Sequence, residues 1–372
     1  MRPRDSVLIY RETQSSDAST KTIDMDLVDP VTALYIELEA TNGATSNKGN
    51  FLSDCVTKLE IVDGSEVLYS VNAIEAQALH FYKQGKTPTL FPSEFADGTQ
   101  REGFFILFGR KLYDLAYAID FSKFKNPQLK ITWNMAAIRA VGATGYLTGT
   151  LKLTVVAKVL EGMAAPGRYL MAKELMSFTS SATSGAEERK ELPTDLPYRM
   201  LMTRHWVQLS DIDEVTSDLK LTADADKYIA FNRKVRQLDA EAFALFGAGR
   251  VKHDIFTQHQ AAFRLLFNKE PSLLAFAWED ATPEIVGVRY TWSSEGKLDL
   301  NDNAGATIST DMKMTTVEEG HALHATLALP FGDLWLPETW FDPTSYKKLE
   351  LVFTSGGTAG TCAVVAEQVR PN

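Results

Sequence analysis

The sequence predicts an all-β protein that folds as two tandem eight-stranded antiparallel jelly rolls, each with a short flanking helix. Two observations carry this prediction. Four sequence blocks recur in the same order in the two halves of the 372-residue chain, which indicates a duplicated domain. Within each half, apolar residues mostly alternate at the period of a strand, and one segment changes to the period of a helix. A single helix among strands favours an antiparallel sandwich over a parallel sheet, in which helices and strands alternate.

The first block is an apolar strand start followed by a loop rich in serine and threonine. It reads LIYRETQSSDASTK at residues 8–21 and MSFTSSATSGAEERK at residues 176–190. A proline then precedes a second apolar run in each copy, at Pro30 and at Pro197. We therefore expect residues 169–197 to form the first strand and loop of the second copy rather than a linker.

The second block predicts a hairpin followed by a helix. It reads LEIVDGSEVLYSVNAIEAQALHFYKQG at residues 59–85 and LKLTADADKYIAFNRKVRQLDAEAFALFG at residues 219–247. Asp63-Gly64 and the run 223–226 supply turn residues between alternating apolar positions, the pattern of a tight hairpin. The helical period that follows ends at Gly85 and at Gly247, where we expect a left-handed backbone.

The third and fourth blocks predict the remaining strands of each copy. The third ends in Phe-Gly, as GFFILFGRKLY at residues 103–113 and ATLALPFGDLW at residues 325–335. The fourth is a pair of strands, QLKITW with GTLKLTVVAKVLE in one copy and KLELVF with GTCAVVAEQV in the other. Ile131 and Val155 lie at core positions of these strands, so a charge placed at either is expected to abolish soluble protein.

The chain divides into domains 1–163 and 164–372 on this interpretation. The boundary falls in EGMAAPGR at residues 161–168, where two glycines, a proline and small residues gather. The second half is longer, because residues 250–320 have no counterpart in the first half. Strand-like runs within them, such as IVGVRYTW, predict a folded loop or tower region.

Composition bears on partners and location. The 48 acidic residues outnumber 38 basic ones, and no long basic run occurs, so direct binding of nucleic acid is not expected. Arg2 and Arg4 form a basic start that is expected to be solvated. No apolar run approaches the roughly 20 residues that cross a membrane, and no signal peptide is recognised, so we expect synthesis in the cytoplasm. Cys55 and Cys362 lie in strand-like settings and are expected to be buried free thiols.

Catalytic and metal-binding patterns are weak. His253 with His259, or His321 with His324, lacks the helical spacing and the glutamate of a zinc protease, so structural roles are expected. Residues 299–303 (DLNDN) resemble the start of a calcium loop, but Ala304 and Thr310 replace the expected glycine and glutamate. A polar turn is therefore expected there. No hydrolase elbow or phosphate-binding loop is present, and the chain is not expected to be an enzyme.

The ordered duplication, the stretch DGSEVLYSVNAIEAQALHFY and the Phe-Gly strand ends resemble the double jelly-roll major capsid proteins of tailless icosahedral viruses. The resemblance is particularly to the major capsid proteins of bacteriophages with an internal membrane, and it covers roughly residues 7–369. It implies a homotrimer that forms a pseudo-hexagonal capsomer and tiles the shell of a virion. Penton or minor capsid proteins and an internal membrane are implied partners, with the insertion as an outward tower and the termini facing inward. No catalytic residue or cofactor is implied.

Aromatic residues in the loops after the Phe-Gly strand ends are candidates for contacts between subunits, because interface cores favour such side chains. They lie at matching places in the two copies: Tyr113, Tyr117 and Phe121 in one, and Trp335, Trp340 and Phe341 in the other. The alternative is that they cap the core of their own domain.

Two other functions remain open from the sequence. Jelly rolls also form lectins, so one alternative is a two-domain carbohydrate-binding protein with an exposed aromatic platform. The other is a jelly-roll enzyme of the cupin or glycosidase type, since paired carboxylates for glycoside cleavage cannot be recognised from sequence alone.

Overall fold

The computed structural model describes residues 1–43, 51–91, 98–138, 145–207, 210–257, 263–266, 270–280, 285–291, 297–302 and 312–372. For residues 90–91 and 251–316 the description covers the backbone of the strands only.

The first half of the chain contains nine strands and one α-helix among the described residues. The strands are β1 (Arg2–Gln14), β2 (Ala18–Asp24), β3 (Val31–Thr41), β4 (Val56–Asp63), β5 (Glu66–Val71), β6 (Thr89–Phe91), β7 (Thr99–Leu107), β8 (Pro127–Asn134) and β9 (Leu151–Glu161). Helix α1 (Ala73–Gln84) follows β5. The strands form one sheet in the order β1-β9-β3-β7-β6 and contribute β2-β8-β4-β5 to another. Apart from the short β6, this is the strand order of a jelly roll.

The second half repeats this order. Its strands are β10 (Arg168–Thr179), β11 (Glu187–Leu192), β12 (Tyr198–Trp206), β13 (Thr216–Ala223), β14 (Tyr228–Lys234), β15 (Gly249–Thr257), β16 (Phe263–Leu266), β17 (Glu270–Asp280), β18 (Ile285–Thr291), β19 (Lys297–Asp302), β20 (Met312–His321), β21 (Thr326–Pro330), β22 (Leu349–Ser355) and β23 (Thr361–Pro371). The helices are α2 (Ile212–Val215), of one turn, and α3 (Val235–Phe246). The runs β10-β23-β12-β21 and β11-β22-β13-β14 match those of the first half strand for strand. The predicted fold, two tandem eight-stranded jelly rolls with a flanking helix each, is confirmed.

Short 3-10 helices occur at the ends of several connections; those described are Leu52–Cys55, Phe121–Lys123, Met135–Ile138, Leu323–Ala325 and Pro337–Thr339. None of the described helices is long and apolar enough to span a membrane.

One sheet runs through both jelly rolls. Strand β10 pairs with β23 along its length and also contacts β5 in parallel, with Lys173 opposite Ser70. The order of this sheet is therefore β2-β8-β4-β5-β10-β23-β12-β21, half from each jelly roll. Residues 169–197 belong to the second jelly roll and are not a linker, as predicted, but they contain the strand β11 in addition to the predicted first strand β10 and its loop.

The flanking helices begin and end where their sequences direct. Asn72 and Glu75 form a capping box at the start of α1, which satisfies two backbone N–H groups. Gly85 ends α1 in the left-handed conformation, with φ 63° and ψ 24°, as predicted. The same prediction is wrong for Gly247, whose φ is 73° but whose ψ is −167°. Only glycine reaches that region easily, so the residue type is still explained.

The recurrent Phe-Gly pairs have a common steric cause. A Cβ atom at Gly109 would lie 2.6 Å from the Cβ of Asp114 and 2.8 Å from the carbonyl oxygen of Tyr117. At Gly332, where φ is 67°, a Cβ atom would lie 2.4 Å from the carbonyl oxygen of Thr339. In each jelly roll the next loop therefore folds back over a position that has no room for a side chain.

Each jelly roll has its own apolar core. Ile131 and Val155 are both fully buried in the first, as predicted. Cys55 and Cys362 are buried free thiols, which the sequence also predicted.

The insertion of residues 250–320 is folded in its described parts. It forms two three-stranded sheets, β15-β20-β17 and β16-β19-β18. Its two ends are adjacent, because β15 pairs with β20 from Gly249 opposite Gly320 onward. A segment that leaves and re-enters a domain through paired strands can be shortened without moving its ends.

Replacing residues 252–317 by an Asn-Gly turn is expected to leave the double jelly roll folded. Val251 and Glu318 are paired in the ladder, so a two-residue turn can join them. The variant should keep the β-sheet circular dichroism signal and the solution mass, less the deleted residues, of the parent. Deleting residues 111–124, which include the fully buried Tyr117, is the control and should give insoluble protein. An unfolded 252–317 variant would contradict the independence of the insertion.

Candidate functional site

The candidate site has two parts. One is the seam, the contact between the two jelly rolls within the chain, and the other is the exposed surface at α3 that occupies the equivalent position in the second jelly roll. Helix α1 lies in the seam, and eleven of its twelve residues are buried. In its counterpart α3 only Val235, Leu238, Asp239 and Ala242 are buried. The same structural element is therefore covered in one jelly roll and open in the other.

A buried charge cluster joins the two jelly rolls at the seam. Glu367 of β23 is 1% exposed and forms ion pairs with Lys83 of α1 and Arg199 of β12. Lys83 also donates to the carbonyl of Leu107 at 2.8 Å, and Arg199 donates to the carbonyl of Leu334 at 3.1 Å. Burial acts to raise the pKa of Glu367, but the two cations outweigh it and hold that pKa below its ordinary value. Burial also lowers the pKa of Lys83. The carboxylate of Glu367 thus links three elements.

A chain of polar side chains crosses the seam nearby. His324 Nε2 donates to Gln77 Oε1 at 2.7 Å, and Gln77 Nε2 donates to Glu102 Oε2 at 3.0 Å. Glu102 also accepts the backbone N–H groups of Leu52 at 2.6 Å and Ser53 at 2.9 Å. These bonds connect the 3-10 helix before β21 to helix α1 and to the 3-10 helix before β4, with all the side chains buried.

The carboxyl-terminal residues fasten β23 to the first jelly roll. Arg370 donates to the carbonyl of Val67 at 3.1 Å and forms an ion pair with Glu66. Asn372 donates to the carbonyl of Ala118 at 2.9 Å. Together with the parallel bridge between β5 and β10, these contacts hold the two jelly rolls in one relative position.

Two carboxyl groups from different jelly rolls also meet in the seam. Glu75 of α1 is buried and accepts the N–H of Asn72 at 3.0 Å, and the carboxylate of Glu174 of β10 acts on it electrostatically. Burial raises the pKa of Glu75 to about 8, and Glu174 acts in the same direction. The N–H of Asn72 and the charge of Arg204 oppose the shift but do not cancel it. Near neutral pH, Glu75 is therefore protonated.

Replacing Glu75 by glutamine is expected to reduce the pH dependence of stability. Between pH 4.5, the ordinary pKa, and about pH 8, the folded chain holds a proton that the unfolded chain has lost. The free energy of unfolding therefore falls as the pH rises through this window. Glutamine keeps the hydrogen bonds and does not titrate, so the variant should be the more stable of the two above pH 8. Urea unfolding from pH 5 to pH 9 measures this. Glu187→Gln on the exposed strand β11 is the control, and equal slopes for Glu75→Gln and the parent would contradict the assignment.

The six aromatic residues singled out in the sequence occupy different environments. Tyr117 and Trp340 are buried and lie across the seam from each other, with ring centroids 5.8 Å apart, beside Leu170. Phe121 lies in the first core, 6.1 Å from Phe108 between ring centroids. Within the described chain, these three side chains are covered by its own atoms.

The other three aromatic residues keep open surface. Trp335 is 48% exposed, and Tyr113 and Phe341 are half-buried. The ring of Phe341 stacks with those of Tyr228 and Tyr346, at centroid distances of 5.8 and 6.0 Å. Their contact with another subunit stays a prediction.

The candidate metal residues lie apart or outside the described residues. His321 Nδ1 is 2.9 Å from Asp239 Oδ2, whereas His324 contacts Gln77, so the two histidines face different partners. The side chain of His253, residue 259 and residues 303–310 lie outside the described residues. In the described part of the chain, no three His, Cys, Asp or Glu side chains are grouped to hold a metal ion.

The seam cluster was missed in the sequence, although a signal was present. Glu367 interrupts the apolar run CAVVAEQV, and Lys83 follows the apolar face of α1. A charge at a strand position that should be buried indicates a buried partner of opposite charge. The sequence does not say which basic residue is that partner or where in the chain it lies.

Solved structures with the same architecture cover nearly the whole chain. A chain in the atomic structure of Sulfolobus turreted icosahedral virus is 10% identical, with a TM-score of 0.62 over 99% of this chain and 91% of that one. A chain of the PBCV-1 virus capsid is 9% identical, with a TM-score of 0.57 over 99% and 93%. The major capsid protein P2 of bacteriophage PM2 is 8% identical, with a TM-score of 0.52 over 100% and 98%.

The chain has the fold of the double jelly-roll major capsid proteins. No protein-family model matches it, and no curated protein matches its sequence. The double jelly-roll fold confirms the architectural part of the predicted resemblance.

Proposed function

We propose that this protein is a major capsid protein, without enzymatic activity, whose copies trimerise into pseudo-hexagonal capsomers and tile an icosahedral virion shell. The observation that carries the proposal is that the surface around α1 is covered by the second jelly roll, whereas the equivalent surface around α3 is exposed. Helix α1 is closed within the chain, and α3 presents the same face to solvent. A subunit with one filled and one open copy of a contact associates head to tail, and such contacts form a ring when the rotation between subunits closes.

Three chains with two jelly rolls each complete a sixfold-like ring. Domains 1–163 and 164–372 would each occupy one of its six positions. The buried charge cluster at the seam supports this arrangement, because it holds the two positions of one chain rigidly in place. The solved structures with the same fold belong to viral shells, which agrees with the proposal.

The two ends of the molecule differ in a way that suits a shell. Arg2 pairs with Glu161 and Arg168 with Pro371, so both termini and the connection between the jelly rolls lie at one end. Strand β23 runs from this end to Thr361, where the insertion-bearing end begins. Its 11 residues span about 35 Å. We propose that the insertion is the outward tower and that the termini face the interior, where a membrane, penton or minor capsid proteins are candidate partners.

The solution mass tests the proposal. Light scattering after gel filtration is expected to give three times the 41.3 kDa chain mass, independent of dilution. Electron microscopy of the concentrated protein or of infected-cell lysates is then expected to reveal hexagonal capsomers or shells. A clean monomer at all concentrations would contradict the capsomer, and glycan binding would become the next property to measure.

A further inference from the structure

Within the chain, the two jelly rolls meet where the edge strand β10 of the second lies beside the edge strand β5 of the first. In the first jelly roll, β5 is the last strand of the run β2-β8-β4-β5, and β10 lies against its free edge. Tyr169 of β10 donates to the carbonyl of Leu68 at 3.3 Å, and its ring lies 6.4 Å from that of Phe108. The backbone N–H of Leu170 donates to the carbonyl of Phe108 at 2.8 Å. Strand β10 thus fills the space beside β5 and the Phe-Gly strand end.

No described residue fills the corresponding space in the second jelly roll. Strand β14 ends the sheet β11-β22-β13-β14, and no strand of the described chain pairs with its outer edge. A groove of about 630 Å³ lies between β14, α3 and the Phe-Gly strand end. Its apolar lining includes Leu238, Leu245, Phe331 and Phe341.

Equivalent positions on α1 and α3 differ in how far their side chains are exposed. Phe81 and Phe243 both lie four residues before the glycine that ends their helix, and they are 2% and 40% exposed. Two residues before the same glycines lie Lys83, which is buried in the seam, and Leu245, which is 65% exposed. Phe243 lies on another face of α3, whereas Leu245 lines the groove together with Tyr228 of β14, which is 39% exposed. Exposed apolar side chains beside a free strand edge, such as Leu245 and Tyr228, are typical of an interaction surface.

The strand that matches β10 is β1, and its outer edge is also free among the described strands. β1 pairs only with β9, as the first strand of the sheet β1-β9-β3-β7-β6. Val7 and Tyr10 on it are 59% and 72% exposed. A chain cannot place its own β1 at its own groove while the seam stands, because β10 and the rest of the second jelly roll lie between them.

We propose that the groove between α3 and β14 binds the amino-terminal edge strand β1 of a second copy of this chain, as the first jelly roll binds β10. Charge supports this occupant. The groove carries Glu241 and Asp342 against Arg233, and the start of β1 brings Arg2 and Arg4. The inference rests on the proposed ring assembly and identifies which surfaces form it.

The pairing of β5 with β10 within the chain predicts the register in which β14 of one copy would lie beside β1 of the next. Ser70 of β5 lies opposite Lys173 of β10. Ser70 and Asn232 both lie two residues before the residue that caps the following helix. Lys173 pairs with Ala366 and Ser6 pairs with Ala157, the last residues of the repeated Val-Val-Ala runs. Asn232 of one copy is therefore expected opposite Ser6 of the next.

Disulfide trapping tests this pair. The variant Ser6→Cys/Asn232→Cys is expected to form covalent dimers and trimers under mild oxidation, resolved on a non-reducing gel. Cys55 and Cys362 are buried and do not compete. The control is Ser6→Cys/Glu187→Cys, which places the second cysteine on β11, the opposite edge of the same sheet, and should stay uncrosslinked. A trimer by light scattering without the Ser6–Asn232 crosslink would overturn the inference and leave the capsomer standing. A monomer would overturn both.

A second variant examines the apolar part of the groove. Leu245 is 65% exposed, so Leu245→Asp is expected to fold normally and to elute at the monomer mass of 41.3 kDa. Ala240→Asp, at another exposed position of α3, is the control and should remain trimeric. A trimer formed by Leu245→Asp with unchanged stability to dilution would count against the groove.

Discussion

Replacing Glu367 by glutamine is expected to lower the free energy of unfolding by about 3–5 kcal/mol, because it leaves two buried cations without a counter-charge. Glutamine preserves the size of the side chain, so the loss reports charge rather than packing. Lys83 and Arg199 have side chains only 3% and 2% exposed and cannot recover hydration without opening the seam. Urea unfolding followed by tryptophan fluorescence and circular dichroism measures the change.

Two controls separate charge from other effects. Glu187 forms a 3.0 Å ion pair with Arg189 in which both side chains are about half exposed, so Glu187→Gln should cost less than about 1 kcal/mol. The triple variant Lys83→Met/Arg199→Met/Glu367→Leu removes all three charges and should recover much of the lost stability. A single variant as stable as the parent would refute the ionised cluster.

Replacing Ile131 by aspartate is expected to abolish soluble protein. The side chain of Ile131 is completely buried in the first core. It lies on β8, between β2 and β4. An unpaired carboxylate at such a position costs several kcal/mol, and the lost packing adds a few more. Their sum is comparable to the whole stability of an ordinary domain, about 5–15 kcal/mol.

The adjacent residue provides the matched control. Lys130 points to the other side of the same strand and is half-buried, so Lys130→Asp should remain soluble and folded. Expression yield in the soluble fraction and the circular dichroism spectrum distinguish the two variants. Folded, soluble Ile131→Asp would mean that the inward face of β8 is assigned incorrectly.

The burial of the aromatic residues in the loops could not be predicted from the sequence. Their matching positions after Phe-Gly were visible in the chain, yet Tyr117 and Trp340 lie against each other across the seam while Trp335 remains 48% exposed. Loop residues carry no periodicity that tells which side faces protein. Their burial depends on what the rest of the chain brings next to them.

The sequence by itself determined the local elements and their duplication. Alternating apolar residues set the strands, Asn72 with Glu75 and Gly85 bounded α1, and the Phe-Gly pairs marked strand ends where no side chain fits. These features depend on neighbours within a few residues, so they can be read along the chain.

Only the tertiary structure decided which charges meet and which edges stay open. Glu367 and Lys83 are 284 residues apart, and nothing near either one specifies the other. Helices α1 and α3 have the same length and matching phenylalanines, yet one is buried and the other exposed, because the second jelly roll covers α1 and no described element covers α3 in the same way. Pairing across long separations is a property of the assembled sheets, and the proposed function depends on the edge that this assembly leaves free.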